Sequence, residues 1–477
     1  MIESARLLKP EIILAGAALA LLALDVSVGR GSLKRWALAA ALASLAAALA
    51  CLLRFPDSGR AFGMLSIDEF SHFFKLVSVL GAGLVLLLAE DDDSLMGGSA
   101  GTFAGLVLLS TVGTMLLASA EDFLILFVAL ELTTIPLFIL AGFLRRDLRS
   151  NEGAIKFFLM GAFSTGLMLY GISFLYGSAG STHFQALASV WSADVPANRT
   201  LDLVGLFFLL AGLGFKLTLV PFHQWVPDAY EGAPTPITAF FAVSRDAGVI
   251  VVMLRLFGEF VPIGRAGLTD LFALLSVLTM TIGNLTALRQ ESLKRLLAYS
   301  SIAHAGTLFI GLVAANPLGR EGVMVYALAY TLMGIGAFAV VAAVARIKGS
   351  DSLEAIEGLA GEHFGLAMLM LIFLLSLSGI PPFLGFLGKF YVFAAAIEAG
   401  LGWLVAIGLL NSVISVYYYF RIVHKMFFRD SRILSLASPA NWSLRIAAGA
   451  SAAALLIFGV FPHRIASWVG QASRALQ

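Results

Sequence analysis

The sequence predicts an all-α membrane protein of about fourteen transmembrane helices, and composition, the recurrence of long apolar runs and two proline interruptions carry that prediction. Of 477 residues, 59% are hydrophobic and 13% charged, with a mean hydropathy of +0.92, outside the range of soluble domains. A helix needs about 20 apolar residues to cross a bilayer. Runs of that kind recur with approximate limits 10–28, 36–53, 72–90, 101–119, 122–143, 154–177, 203–227 and 236–257. Six more follow at 268–288, 295–314, 322–345, 364–397, 402–427 and 444–463. No soluble domain fits between them. The first run, after Lys9-Pro10, lacks a distinct small-residue cleavage site and reads as a retained helix rather than a leader.

Lys and Arg in short loops tend to remain cytoplasmic. They concentrate in alternate loops, as Arg30, Lys34 and Arg35, then Arg145, Arg146 and Arg149, then Arg289, Lys294 and Arg295, then Lys425, Arg429 and Arg432. This alternation places both termini on the non-cytoplasmic side of a bacterial inner membrane.

The seventh run is interrupted in FKLTLVPFHQWVPD, where Lys216 precedes Pro221, and the twelfth in SLSGIPPFLGFLGKFYVF, where Pro381-Pro382 precede Lys389. Proline removes a backbone donor and clashes with the preceding turn. A helix broken in a membrane is tolerated only against protein or water. Proline follows the lysine in one run and precedes it in the other, five runs apart, as two inverted five-helix repeats would have it. The expected division is N-terminal helices 1–3 over 1–100, a first repeat of helices 4–8 over 101–257, a second of helices 9–13 over 268–427, and a C-terminal helix 14 within 428–477.

A net charge of +1, with basic residues scattered among loops, argues against nucleic-acid binding. The single cysteine, Cys51, cannot build a disulfide or a cysteine-ligated cluster from this chain alone. No phosphate-cradling glycine loop, clustered metal ligands or nucleophile constellation stands out, so no cofactor and no metal is expected on this chain.

Charge inside the membrane is the informative signal, because it costs roughly 2.5–3.5 kcal/mol at the bilayer centre and is usually functional. Glu131 lies mid-span in FLILFVALELTTIPLF, and Lys216 lies mid-span in the seventh run. At similar depth they can pair, and a moving carboxylate would switch the lysine between holding and releasing a proton. The alternative is a static ion pair locking two helices. Lys389, flanked by apolar residues, has no acid within its own helix, Glu362 and Glu398 lying near the ends of that run; it is a second carrier in hydrated surroundings or a snorkelling lysine. His304, in YSSIAHAG, has the side chain whose ordinary titration falls nearest physiological pH. It bridges the two halves or is packed between helices as a polar contact.

Arg245 and Asp246 are adjacent on the eighth run, so they point about 100° apart and meet different partners. Arginine does not release its proton, which suits electrostatic tuning. His223, Asp228 and Glu231 form either a proton entrance or a solvated turn, while Lys294 and Arg295 are most simply loop residues that set topology. Glu152 and Lys156, four apart, read as a local ion pair, with Lys156 a weaker proton-path candidate.

The strings EGAIKFFLMGAFSTGLMLYGISFLYGSAGST, FKLTLVPFHQWVPDAYEGAPTPITAFF, GNLTALRQESLKRLLAYSSIAHAG and SGIPPFLGFLGKFYVF resemble the subunit N family of proton-pumping NADH–quinone oxidoreductase. They run in the family's order from about residue 120 to 400, while the outer helices match only in character. The core PFHQWVPD is shared with the antiporter-like subunits L and M and with sodium/proton antiporter components; YGISFLYG and YEGAPTPITAFF are N-like. The resemblance implies fourteen helices in two inverted repeats, Glu131 and Lys216 as the acid–lysine pair of one half-channel, Lys389 as the terminal carrier of the other, and His304 on the axis between them. It also implies membrane and peripheral redox partner subunits that carry FMN, iron–sulfur clusters and quinone and take electrons from NADH or another donor. One position departs from the family: its eighth-span lysine is here Arg245. A stand-alone or Mrp-type cation/proton antiporter subunit is the competing function, and a purely structural membrane subunit the third.

Overall fold

The computed structural model describes residues 2–28, 34–54, 58–90, 92, 95, 99–192, 199–261, 263–431 and 442–476. The described chain is nearly all helical, with one short hairpin pairing Gly59–Ala61 with Leu65–Ile67. Eleven of the described helices are long and apolar enough to cross a membrane: Lys9–Ser27, Arg35–Arg54, Glu69–Ala89, Ala100–Ser119, Phe123–Ala141, Leu148–Ala179, Thr269–Ala287, Leu293–Ala314, Pro317–Lys348, Gly402–Phe428 and Trp442–Val460. They fall where the sequence expects spans. The other expected spans are the two interrupted by proline and Thr235–Arg255, which has charged residues in its interior.

Burial separates the helices into inner and outer members. Leu293–Ala314 and Pro317–Lys348 are almost wholly enclosed. Leu148–Ala179, Gly402–Phe428 and Trp442–Val460 leave large apolar side chains such as Phe163, Leu410 and Ile446 exposed, as lipid-facing helices do.

Both expected breaks are present. Arg199–Lys216 ends at the lysine, an irregular stretch holds Thr218 at φ +61°, and the helix resumes at Val226–Gly232. Backbone freed here finds partners elsewhere in the fold. The Val220 N–H donates to the Thr279 hydroxyl at 3.0 Å, and the Trp225 indole N–H reaches back across the break to the Phe215 carbonyl at 3.3 Å. The second break separates Phe364–Ser378 from Leu384–Glu398. Gly379 caps the first of these helices at φ +79°, a conformation that side-chain-bearing residues rarely adopt. Gly385 then lets the returning helix press on the preceding one, since a Cβ there would lie 2.2 Å from the Ser376 carbonyl oxygen. From outside, Gly459 in Trp442–Val460 seats against the same break, where a Cβ would meet the Pro382 carbonyl oxygen at 2.0 Å. Each break contains a cis X-Pro bond, Val220-Pro221 and Pro381-Pro382.

Three elements depart from the sequence expectation. Residues beyond 460 form a second helix, Pro462–Arg474, that buries Ile465, Val469 and Ala472 and sets Trp468 at a tilt against Phe73 with ring centroids 4.7 Å apart. Its apolar residues recur every three to four positions and it is too short to span, so a search for continuous apolar runs passes it over. The short helix Phe184–Ser192 and the hairpin were missed for the same reason.

Candidate proton-transfer sites

The first site forms where the Phe123–Ala141 helix passes the end of Arg199–Lys216. The Lys216 ammonium is buried, donates to the Thr134 hydroxyl at 3.0 Å and stands 3.6 Å from the Glu131 carboxylate. Glu131 and Thr134 are three apart, so one helix face presents both. Thr165 on the neighbouring helix donates to Glu131 at 2.8 Å. The rings of Phe138 and Phe215 flank the ammonium, with centroids 5.4 and 5.8 Å away. Beside it lies a cavity of about 20 Å³ lined by Thr133, Thr134, Phe157, Lys216 and Trp225 among others, enough space for about one water. Pro136 lies one turn beyond Glu131 and withdraws a backbone donor from the same helix. The expected acid–lysine pair is therefore present, at a separation that leaves room for a small approach.

The second site solves the same problem without a carboxylate. Lys389 is buried, and its ammonium donates to the carbonyls of Leu377 at 3.0 Å and Ser378 at 3.2 Å. These are the last carbonyls of Phe364–Ser378, left without intrahelical donors by the break. A helix C-terminus carries partial negative charge, so the half-helix itself acts as the counter-charge. Glu362, weighed above as a nearby acid, instead pairs with Lys348 at 2.5 Å. Among the described residues Lys389 has no carboxylate within ion-pair distance.

His304 sits between helices in the most enclosed part of the protein. Its Nδ1 lies 2.5 Å from the Tyr326 hydroxyl and its Nε2 3.0 Å from the Tyr419 hydroxyl. The Tyr419 hydroxyl also makes a very short contact with Ser300 Oγ. The packed and hydrogen-bonded histidine and the relay are thus compatible readings of one geometry.

The weaker candidates gather at one end of the bundle. Lys156, exposed, pairs with Glu152 at 2.6 Å as expected and also with Asp228 at 2.7 Å. Asp228 pairs in turn with Arg295 at 2.9 Å, and Arg295 with Glu231 at 2.8 Å. Burial alone would raise the Asp228 carboxyl, but the hydrogen bonds from Lys156 and Arg295 hold it below its ordinary range. His223 is half-buried in the first break, and no ion pair among the described residues joins it to this cluster. Arg245 and Asp246 lie on helical backbone in Thr235–Arg255, but their side chains fall outside the described residues.

Three features escaped the sequence reading. Lys294 and Arg295 lie in the first turn of Leu293–Ala314 rather than in a loop: Lys294 is buried and donates to the Ala233 carbonyl at 3.0 Å, tying the end of Val226–Gly232 to that helix. Glu11 and Lys75 form a buried pair at 2.8 Å between the first and third expected spans. Arg255, fully buried, joins Asp68 at 2.8 Å and Glu121 at 3.3 Å. Lys75 offered the same signal as Lys389, a lysine flanked by apolar residues; Glu11 and Arg255 lie near span ends, where interfacial placement would explain them.

Buried lysines at two broken helices within an all-helical, apolar bundle fit a class, the antiporter-like membrane subunits. Residues 120–415 match the family described as NADH:quinone oxidoreductase/Mrp antiporter, TM. The chain is 40% identical to NADH-quinone oxidoreductase subunit N of Trichlorobacter lovleyi, over 98% of this chain and 96% of that protein. It is 39% identical to subunit N of Anaeromyxobacter sp., again over 98% and 96%. Among solved structures, a chain of respiratory complex I from Thermus thermophilus with bound aureothin superimposes with a TM-score of 0.82 at 35% identity, covering 96% of this chain and 98% of that one. A chain of the Mrp complex from Dietzia sp. shares the fold, with a TM-score of 0.87 at 20% identity over 100% and 98%. The chain belongs to the NADH-quinone oxidoreductase subunit N family.

Proposed function

We propose that this chain is a proton-translocating membrane subunit of an NADH–quinone oxidoreductase complex, driven by quinone reduction in partner subunits. The observation that carries the reading is the buried Lys216 ammonium at a helix break, 3.6 Å from Glu131 and beside a water-sized cavity. In this reading Glu131, Lys216, His304 and Lys389 carry protons, Lys156, His223 and Asp228 serve the approach, and Arg245 with Asp246 tunes the field. The chain has fourteen transmembrane helices, with two inverted five-helix repeats over 101–257 and 268–427, N-terminal helices over 1–100 and the last span within 428–477. Both termini face away from the bacterial cytoplasm. FMN, iron–sulfur clusters and quinone belong to partner subunits, which together with other antiporter-like and small membrane subunits surround this chain.

The test is Lys216→Ala in the assembled complex, with protons translocated per NADH oxidised measured in sealed vesicles. A fall on the order of a hundredfold through this path is expected from losing a general acid–base group. Translocation left intact, with only assembly reduced, would sink the relay and leave a static ion pair. An Mrp-type cation/proton antiporter subunit is the second reading, favoured by the shared fold; sodium-dependent proton flux from the purified chain in liposomes would support it instead.

A further inference from the structure

We propose that His304 passes protons through its ring, entering at one nitrogen and leaving at the other, with the Tyr326 and Tyr419 hydroxyls as the groups that exchange protons with the two nitrogens. The inference rests on the reading of His304 as a proton carrier.

Both ring nitrogens face phenol hydroxyls, Nδ1 at 2.5 Å and Nε2 at 3.0 Å. A neutral imidazole has one N–H and one lone pair. One tyrosine therefore accepts from the ring while the other donates to it, and exchanging the tautomer exchanges both roles. The two hydroxyls come from different helices, Pro317–Lys348 and Gly402–Phe428, so they lead away from the ring in different directions. On the Tyr419 side the next hydroxyl is Ser300. On the Tyr326 side lies the half-helix that carries Lys389: Gly388 packs so closely on Tyr326 that a Cβ there would fall 2.7 Å from its ring. His304 thus stands between a serine hydroxyl and the neighbourhood of the second lysine.

The step balances without redox chemistry. Take the ring protonated on Nδ1. A proton delivered along the path bonds to the Tyr419 oxygen as the Tyr419 O–H proton moves to Nε2. The Nδ1–H bond breaks, its proton bonds to the Tyr326 oxygen, and the original Tyr326 proton leaves to a water or amine on the Lys389 side. One proton enters, one leaves, and the ring ends protonated on Nε2. The ring resets with its N–H bond intact, turning so that Nε2–H comes to the Tyr326 side and the bare Nδ1 to the Tyr419 side while both hydroxyls reorient, because a tautomer exchange back through the same two hydroxyls would undo the transfer; the reverse direction exchanges the roles of the two tyrosines.

The experiment compares Tyr419→Phe, Tyr326→Phe and His304→Ala in the assembled complex, reading protons translocated per NADH oxidised in water and in deuterium oxide, with assembled complex quantified beside it. Phenylalanine keeps the ring and removes only the hydroxyl. Each Phe variant is expected to lower the ratio at least threefold with assembly maintained, and to enlarge the deuterium effect on the translocation that remains, which a packing role would not do. Normal ratios in both Phe variants with a low ratio in His304→Ala overturn the through-ring transfer while leaving His304 a carrier. Failure of both Phe variants to assemble also overturns it, assigning the hydroxyls to packing. A normal ratio in His304→Ala removes the underlying reading instead.

Discussion

Two buried lysines at two broken helices are held by different means. Lys216 ends the helix before its break and faces a carboxylate and a threonine hydroxyl on another helix. Lys389 follows its break by a turn and reaches back to the bare carbonyls of the helix before it. The counter-charge in the first site is a side-chain carboxylate on another helix, whose distance from Lys216 is set by its own rotatable bonds. Carbonyls accept hydrogen bonds but not protons in the working range, so the second site has one titrating group in a fixed cradle. Proline breaks supply the geometry in both, and the difference is whether the counter-charge is a side chain or the backbone itself.

The sharpest way to break this comparison is Lys389→Glu. An ionised carboxylate opposed by two carbonyl oxygens has no donor to satisfy it and should cost about 3–5 kcal/mol, measured as loss of assembled chain; normal assembly would show that the acid is held protonated and donates its O–H to the same carbonyls. Next is Gly379→Ala. Its Cβ would lie 2.8 Å from Lys389 Cδ at a φ of +79°, so about 1–3 kcal/mol of stability should be lost, seen as a lower thermal midpoint, with no change in the first site's response to substitution. Glu131→Gln removes the variable counter-charge but keeps the size of the side chain. Translocation should fall about tenfold, the equivalent of one charge contact of about 1.4 kcal/mol, measured in sealed vesicles. An unchanged rate would make the two sites equivalent in kind. The smallest effect is expected of Thr279→Val, which orphans the Val220 N–H in the first break; a loss of about 1 kcal/mol should appear in thermal melts while protons moved per NADH stay unchanged.

How much of this was legible in the sequence follows from the range of each interaction. Span positions were legible because a bilayer imposes a length that local composition reports, and the breaks because proline acts on its own helix. The Glu131–Lys216 pair was legible as two isolated charges at matching depth. The partners of Lys389 were not: its cradle is made of backbone carbonyls, which every residue has, so no side-chain pattern marks them. The partners of His304 lie 22 and 115 residues away on helices whose rotation the sequence leaves open. Thr279 belongs to the same class, a hydroxyl among apolar neighbours until its helix is docked against Val220. Lys75 stood in plain view within an apolar run, and pairing it with Glu11 needed the packing of two helices joined by no local motif.

The seat of Gly459 on the second break bears on how fast that site can move. With the Pro382 carbonyl in contact with the backbone of Trp442–Val460, the segment between the two half-helices has no room to swing outward alone. Any motion that draws Lys389 off its carbonyls must tilt packed helices together. Such collective displacements belong to the microsecond-to-millisecond range rather than the nanoseconds of a free loop. Relaxation measurements on the second break should therefore read exchange in that slower range, and nanosecond motion confined to residues 379–383 would show that the seat of Gly459 does not hold it.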